Sequence, residues 1–195
     1  VVAGTYPVCY VIAEIRGSEK PEEDVIVSGH LDSWDGPGSQ GTTDNGTGTA
    51  VTIEAARLLI AAGAKPLRTI RFIHWTGEEQ GLLGARAYVD RLKETGEIEK
   101  LSAMFNDDGG TNSQGGLAAA DQMVELLAAA TAPITGKFFD AKDGKALNVN
   151  VRSVGVRQRP GAGSDHAAFV AAGVPGFFWD EVGRADYGYG WHTQH

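Results

Sequence analysis

The chain contains a single cysteine, Cys9, so no disulfide can close within it and cysteine usage carries no information about compartment. Within the apolar run VCYVIAEI this thiol is expected to be buried and inert. No stretch of eighteen apolar residues occurs, which excludes a helix that spans a membrane. Positive charge is scarce as well: 17 Lys and Arg stand against 25 Asp and Glu, for a formal net charge of −8. With no basic stripe to neutralise phosphates, a nucleic-acid partner is excluded. The chain shows no internal repeat or low-complexity tract, and no charged and apolar leader follows Val1. What is present is ample apolar material, 42% of 195 residues, which argues against wholesale disorder. Residues 1–195 are expected to form one catalytic domain, an excerpt that continues beyond both ends.

Apolar, β-branched runs bounded by turn residues predict strands over Cys9–Arg16, Asp24–His30, Thr69–Trp75, Leu101–Asp107, Val149–Val156 and Gly176–Trp179. Helical spacing predicts helices over Gly46–Ala62, Gln80–Glu94, Asp121–Ala130 and Asp165–Ala172. The first carries Val51, Ala55, Leu58 and Leu59 on one face, and Ser164 is a natural N-cap for the last. Thr131–Asn148 reads as a long surface loop. Strands that alternate with helices imply an α/β fold, a doubly wound, mostly parallel mixed sheet with helices on both faces. In such sheets ligands bind beyond the carboxyl ends of the strands.

Five segments place an acidic or imidazole side chain at that edge: GHLDSWDG, TTDNGTGTA, TGEEQGLLGARAY, FNDDGG and GYGWHTQH. Taken singly, each has an ordinary explanation, since a strand-end Asp or His often caps a turn and paired Glu complements a helix dipole. Independent caps have no reason to recur as a set of two imidazoles and several carboxylates. That set is what a pair of zinc ions needs, with one carboxylate shared between them.

With GHLDSW, TDNGTG, FIHWTGEEQGLLGARAY and GSDHAAFVAAGVP in this order, the sequence resembles the co-catalytic zinc aminopeptidases and carboxypeptidases, in particular the branch that contains plasma glutamate carboxypeptidase. The resemblance implies two Zn2+ per chain and hydrolysis of a terminal peptide bond in a short peptide or dipeptide. It assigns His30 and Asp108 to one zinc, Glu79 and His192 to the other, and Asp44 to both. Glu78 would bind no metal and act as general base, because an unbound carboxylate can still accept a proton. Asp32 would steady the His30 imidazole, and Asp165 and His166 match a Ser-Asp-His segment with a supporting role. Tyr187, Tyr189 and His166 are candidates to assist the carbonyl. The resemblance further implies a cis peptide after Asp44, a secreted or periplasmic location and a short peptide partner, and it is compatible with a homodimer.

Other conspicuous residues read as structural. His74 lies inside an apolar strand and is expected to be a hydrogen-bonded core residue, Asp107 a cap or loop residue, and His192 rather than His195 the ligand. Gly46 and Gly48 are expected to let the backbone turn tightly, and the Asn45 sequon is discounted because modification would block the metal loop. Two other readings use the same scaffold: a one-zinc glutaminyl cyclase, and a non-catalytic binding domain. The presence of both His30 and Asp108 favours two metals over one, and a complete ligand set with Glu78 favours catalysis. Which end of the substrate is held stays open, with Arg152, Arg157, Arg159 and Arg184 available for a carboxylate and Asp180, Glu181 and Asp186 for an ammonium group.

Overall fold

In the computed structural model, which describes residues 7, 9–36, 38–140, 142–158 and 163–193, seven strands form one mixed sheet in the order β1-β3-β2-β4-β9-β5-β8. The strands are β1 (Val11–Ile15), β2 (Lys20–His30), β3 (Arg68–Trp75), β4 (Leu101–Asn106), β5 (Ser113–Ala119), β8 (Asn150–Ser153) and β9 (Gly176–Val182). A separate two-stranded hairpin joins β6 (Phe138–Phe139) to β7 (Ala146–Leu147). β2, β3, β4 and β9 run parallel, so their carboxyl ends share one edge of the sheet; β1 and β5 run antiparallel to their neighbours β3 and β9.

Five helices complete the fold: α1 (Thr47–Ala61), α2 (Leu83–Thr95), α3 (Asp121–Thr131), α4 (His166–Ala171) and the short α5 (Tyr187–Gly190). Alternation along the strands divides the helices between the two faces. On one face Ile26, Ile73, Trp75 and Met104 meet Tyr88, Val89 and Leu92 of α2 and Phe169 of α4. The Trp75 ring lies 5.4 Å from Tyr88 and 5.8 Å from Phe169, so large apolar surfaces and aromatic edges fix α2 and α4 there. On the other face Phe105, Phe177 and Leu117 receive Met123, Val124 and Leu127 of α3. His74, one residue along from Ile73 and so on this second face, is buried with Nε2 2.6 Å from the Thr52 hydroxyl of α1. The doubly wound sheet and the core role of His74 follow the sequence.

Several expectations are corrected. Cys9 is exposed, because the segment leads into an edge strand whose residues are mostly open to solvent. On α1 the inward residues are Gly48 and Thr52, whereas Val51 and Leu58 are about half exposed at 46% and 53%. A small glycine and a hydroxyl that bonds His74 lie against the sheet, and the larger apolar side chains face outward. The helix expected from Gln80 starts at Leu83, so the turn that holds Glu78 and Glu79 is longer than the sequence suggests. Asp165, not Ser164, occupies the N-cap of α4, and the Ser164 hydroxyl instead accepts a hydrogen bond from Asn106 Nδ2 at 2.8 Å. The loop 131–148 carries the small β6–β7 hairpin. Strand β5, SQGGLAA, is new; its glycines and alanines lack the β-branched signal, and pairing with β8 and β9 makes it a strand.

Candidate active site

The site grows from the shared carboxyl edge of β2, β3 and β4. His30 is the last residue of β2, Asp107 and Asp108 follow β4, and the turn Thr76–Leu82 follows β3. A tight turn over Thr42–Gly46 delivers Asp44 and leads into α1. The Asp44–Asn45 peptide is cis, as the resemblance implies. Buried hydrogen bonds lock this turn in place: Asn45 Nδ2 donates to the Asp107 carbonyl at 2.7 Å, and Asn45 Oδ1 accepts from the Gly48 amide at 3.0 Å. Asn45 is only 2% exposed, so its sequon is out of reach of modification. Gly46 and Gly48 serve close approach and not a left-handed turn, since Gly46 has an ordinary φ of −61°. A Cβ on Gly48 would lie 2.2 Å from the Asp107 carbonyl oxygen, and one on Gly46 2.9 Å from that of Gly41.

Around Asp44 the two predicted imidazoles converge from opposite sides. Asp44 Oδ1 lies 3.2 Å from His30 Nε2, and Asp44 Oδ2 lies 3.4 Å from His192 Nε2. Asp108 Oδ1 stands 3.0 Å from the same His30 nitrogen, and Glu79 Oε2 stands 2.9 Å from His192 Nε2. Ligand atoms ~2.0–2.2 Å from a tetrahedral zinc are about 3.3–3.6 Å apart, and the spacings here, from 2.9 Å to 3.4 Å, lie at the short side of that range. The donor atoms of His30, Asp44 and Glu79 fall within 4.8 Å of one another, as do those of His30, Glu78 and Asp108. Glu79 Oε1 is buried with no hydrogen-bond partner, an orphaned acceptor that a cation would satisfy. The donor set, imidazole nitrogen and carboxylate oxygen, fits zinc.

Second contacts orient these groups. Asp32 accepts hydrogen bonds from the backbone amides of Glu78 and Glu79, each at 3.2 Å, and its Oδ1 lies 3.5 Å from His30 Nδ1. The nearer partner of His30 Nδ1 is the Asp32 backbone carbonyl at 3.0 Å, so Asp32 orients the imidazole through its backbone and the two-glutamate turn through its carboxylate. The His192 ring is stacked between Trp34, 4.3 Å away and tilted by 10°, and Trp191, 4.2 Å away and tilted by 29°. Asp107 Oδ2 accepts from Gln114 Nε2 at 2.7 Å, which together with the Asn45 bond makes Asp107 an anchor of the site's backbone.

The electrostatics follow from crowded carboxylates in a poorly solvated pocket. Burial first, then the Asp108 and Glu79 charges, pushes Glu78 up to about 8, although His30 opposes the shift. Burial and the Asp44 charge raise Glu79, and burial raises Asp108. Burial alone would lower His30, but hydrogen bonds to Asp108, Asp32 and Asp44 outweigh it and raise the imidazole. For Asp32 burial works upward, while the hydrogen bonds from His30 and the two amides bring it below the ordinary value. Three carboxylates around one imidazole form a cavity in potential suited to a cation.

Of the remaining candidates, Tyr187 lines the cleft; burial first, then the Asp108 and Asp44 charges, raises its hydroxyl. Tyr189 is 67% exposed and does not line the cleft. Asp165 is fully buried with both carboxyl oxygens unpartnered, and burial followed by the Glu78 charge raises it well above the usual range. His166 lines a separate cavity with Gln158 and Phe178. His195 and Arg159 lie outside the described residues. The cleft itself encloses about 530 Å3 and brings together Asp44, Glu78, Glu79, Asp108 and His192, with Arg86 at its side. Arg86, and the ring stack on His192, were not expected from the sequence; nothing in a helical GARAY segment says which way its arginine faces.

Comparison with known proteins bears on this arrangement. The model of peptidase family M28 matches residues 10–195. Carboxypeptidase Q of Rattus norvegicus is 47% identical over 100 residues, covering 51% of this chain and 20% of that protein. A peptidase M28 precursor from Shewanella amazonensis superposes with a TM-score of 0.70 at 29% identity, over 88% of this chain and 35% of its own. A zinc aminopeptidase from Bacillus subtilis gives a TM-score of 0.61 at 28% identity, over 88% of this chain and 40% of its own. The chain thus spans a fifth of the rat protein and well under half of the two solved ones. A match that runs through every segment of the cleft, from β2 to the Trp191–His192 pair, settles the ancestry of the fold: the chain belongs to peptidase family M28.

Proposed function

We propose that this chain carries the catalytic centre of a two-zinc exopeptidase that removes a residue from the end of a short peptide. The observation that supports it most is the position of Asp44, whose two oxygens face two different imidazoles at 3.2 Å and 3.4 Å. His30, Asp108 and Asp44 Oδ1 would hold one zinc, and His192, Glu79 and Asp44 Oδ2 the other. A zinc pair bound there supplies Lewis acidity, lowering the pKa of water and polarising the scissile carbonyl. Glu78 lies beside His30 and Asp108, close enough to accept the proton of the attacking water and return it to the leaving amine. Asp32 holds the amides of Glu78 and Glu79, which fixes the base relative to its ligand neighbour. Tyr187, on the cleft wall, would donate toward the oxygen of a bound carbonyl.

Relatives named carboxypeptidase and aminopeptidase both act at chain ends, and the proposal takes that shared chemistry for this chain. A one-zinc cyclase would need Asp44, Glu79 and His192 but leave His30 and Asp108 with no metal to share. The test is metal analysis of the purified protein together with assays on a dipeptide and on a peptide blocked at both ends. Two zinc ions per chain, cleavage of the free dipeptide and resistance of the blocked peptide are expected. One zinc with cyclisation of an N-terminal glutamine would replace the proposal by the cyclase reading, and cleavage of the blocked peptide would make the enzyme an endopeptidase.

A further inference from the structure

The cleft leaves one charged group without a task. Its four lining carboxylates, Asp44, Glu78, Glu79 and Asp108, are all committed to metal or base, and their summed charge matches that of two divalent ions. Among the described lining residues no carboxylate remains to receive a substrate ammonium group. Arg86 does remain. It is exposed on α2, lines the cleft, and has no carboxylate partner among the described residues. Of the arginines weighed from sequence, the three that are described are occupied or elsewhere: Arg152 pairs with Asp180 at 2.9 Å, Arg184 pairs with Asp140, and Arg157 lines a different cavity, while Arg159 lies outside the described residues.

Leu82 and Arg86, one turn apart, also line a second groove of about 370 Å3 between α2 and α4, where Val89, Ala168 and Ala171 supply apolar surface and the ion pair of Asp90 and Lys93, 3.9 Å apart, supplies a charged margin. Arg86 therefore stands on the wall between catalytic cleft and groove, reachable from both. A guanidinium presents a planar fork of donors that fits a carboxylate with two parallel hydrogen bonds. From this placement we infer that Arg86 is the specificity-determining residue that receives the substrate's free α-carboxylate. The inference rests on the exopeptidase reading and sharpens it: the substrate class becomes peptides with a free carboxyl end, with the last side chain directed along the groove between α2 and α4.

The test uses the zinc-loaded protein with Arg86→Ala and Arg86→Lys, and a dipeptide supplied as free acid and as carboxamide. Charged hydrogen bonds of this kind carry ~10- to 100-fold in affinity, so the acid-to-amide ratio of kcat/KM should fall by that factor in Arg86→Ala. The loss is expected in KM, and Arg86→Lys should recover part of it. A ratio that moves less than about two-fold would overturn the assignment. Calorimetry with the zinc-loaded Glu78→Gln protein separates this from the catalytic reading, because it needs no turnover. There the free acid should bind more tightly than the amide, and adding Arg86→Ala should remove the preference; equal binding of the two peptides in the parent also overturns it. A wild-type protein that cleaves neither peptide would sink the exopeptidase reading, while the calorimetric comparison would still decide Arg86.

Discussion

At Glu78 and Asp32 the chemistry of the site reduces to what a carboxylate touches. Glu78 is pushed up to about 8 by burial and by neighbouring negative charge, so in the metal-free chain it holds its proton near neutrality. Cations beside it favour the ionised form, which is the form a general base needs. The acid limb of kcat/KM in the zinc-loaded protein is therefore expected below pH 8, rising with pH as Glu78 ionises. Glu78→Gln keeps shape and hydrogen bonding but cannot accept the proton; hydrolysis should drop by ~10²- to 10⁴-fold with zinc content near normal. Unchanged turnover would remove Glu78 from the mechanism. Asp32 differs, because it works through the groups it holds. Asp32→Ala frees the amides of Glu78 and Glu79 but keeps the backbone carbonyl that holds His30 Nδ1, and zinc affinity measured by chelator competition should weaken ~10- to 100-fold through the displaced Glu79 turn.

Between strand and helix, the placement of the site depends on how closely backbones can approach. The start of α1 presses against the end of β4, and Gly48 makes the contact possible. Gly48→Ala would put a methyl 2.2 Å from the Asp107 carbonyl and 2.4 Å from Asn45 Oδ1, both parts of a buried hydrogen-bonded corner. A rigid backbone acceptor cannot move aside as a flexible side chain could, so a loss of ~1–3 kcal/mol is expected. In a chain of this size that corresponds to a melting temperature lower by about 3–10 °C. A melt within a degree of wild type would mean the corner relaxes easily. β5 shows the same dependence on context, since a glycine- and alanine-rich segment is held as a strand by partners on both sides.

Across the molecule, metal and proton compete for the same pocket. In the metal-free fold Glu78 near 8, Glu181 near 7 and a raised His30 all hold protons that the unfolded chain gives up at lower pH. Burial is the main cause for both glutamates, whereas hydrogen-bonded carboxylates raise His30. Where the folded state binds more protons, stability falls as pH rises. His74 and His166, both lowered by burial, act in the opposite sense, but only below their ordinary value of 6.5. Thermal melts of the chelated protein should therefore show a lower melting temperature at pH 8 than at pH 6.5. Zinc, binding only the native arrangement, should raise the melt and flatten this decline. Equal melts with and without chelator would count against a metal centre.

The order of strands and helices, the mixed sheet and the clustering of His30, Asp44, Glu78, Glu79, Asp108 and His192 were legible in the amino-acid sequence. Apolar periodicity encodes the elements, residue type marks the strand-end segments that can bind a cation, and the resemblance carried by their motifs singles out these six among them. Three things required the tertiary structure. The β5 strand exists because of its neighbours and not its propensity. The outward turn of Val51 and Leu58 reflects which face of α1 the close contacts at Gly48 and Thr52 bring to the sheet. The position of Arg86 over the cleft depends on the rotation of α2, fixed by Tyr88, Val89 and Leu92 packing into the core. Spacing along a chain says which side chains share a face; only packing against the rest of the fold decides what that face looks toward.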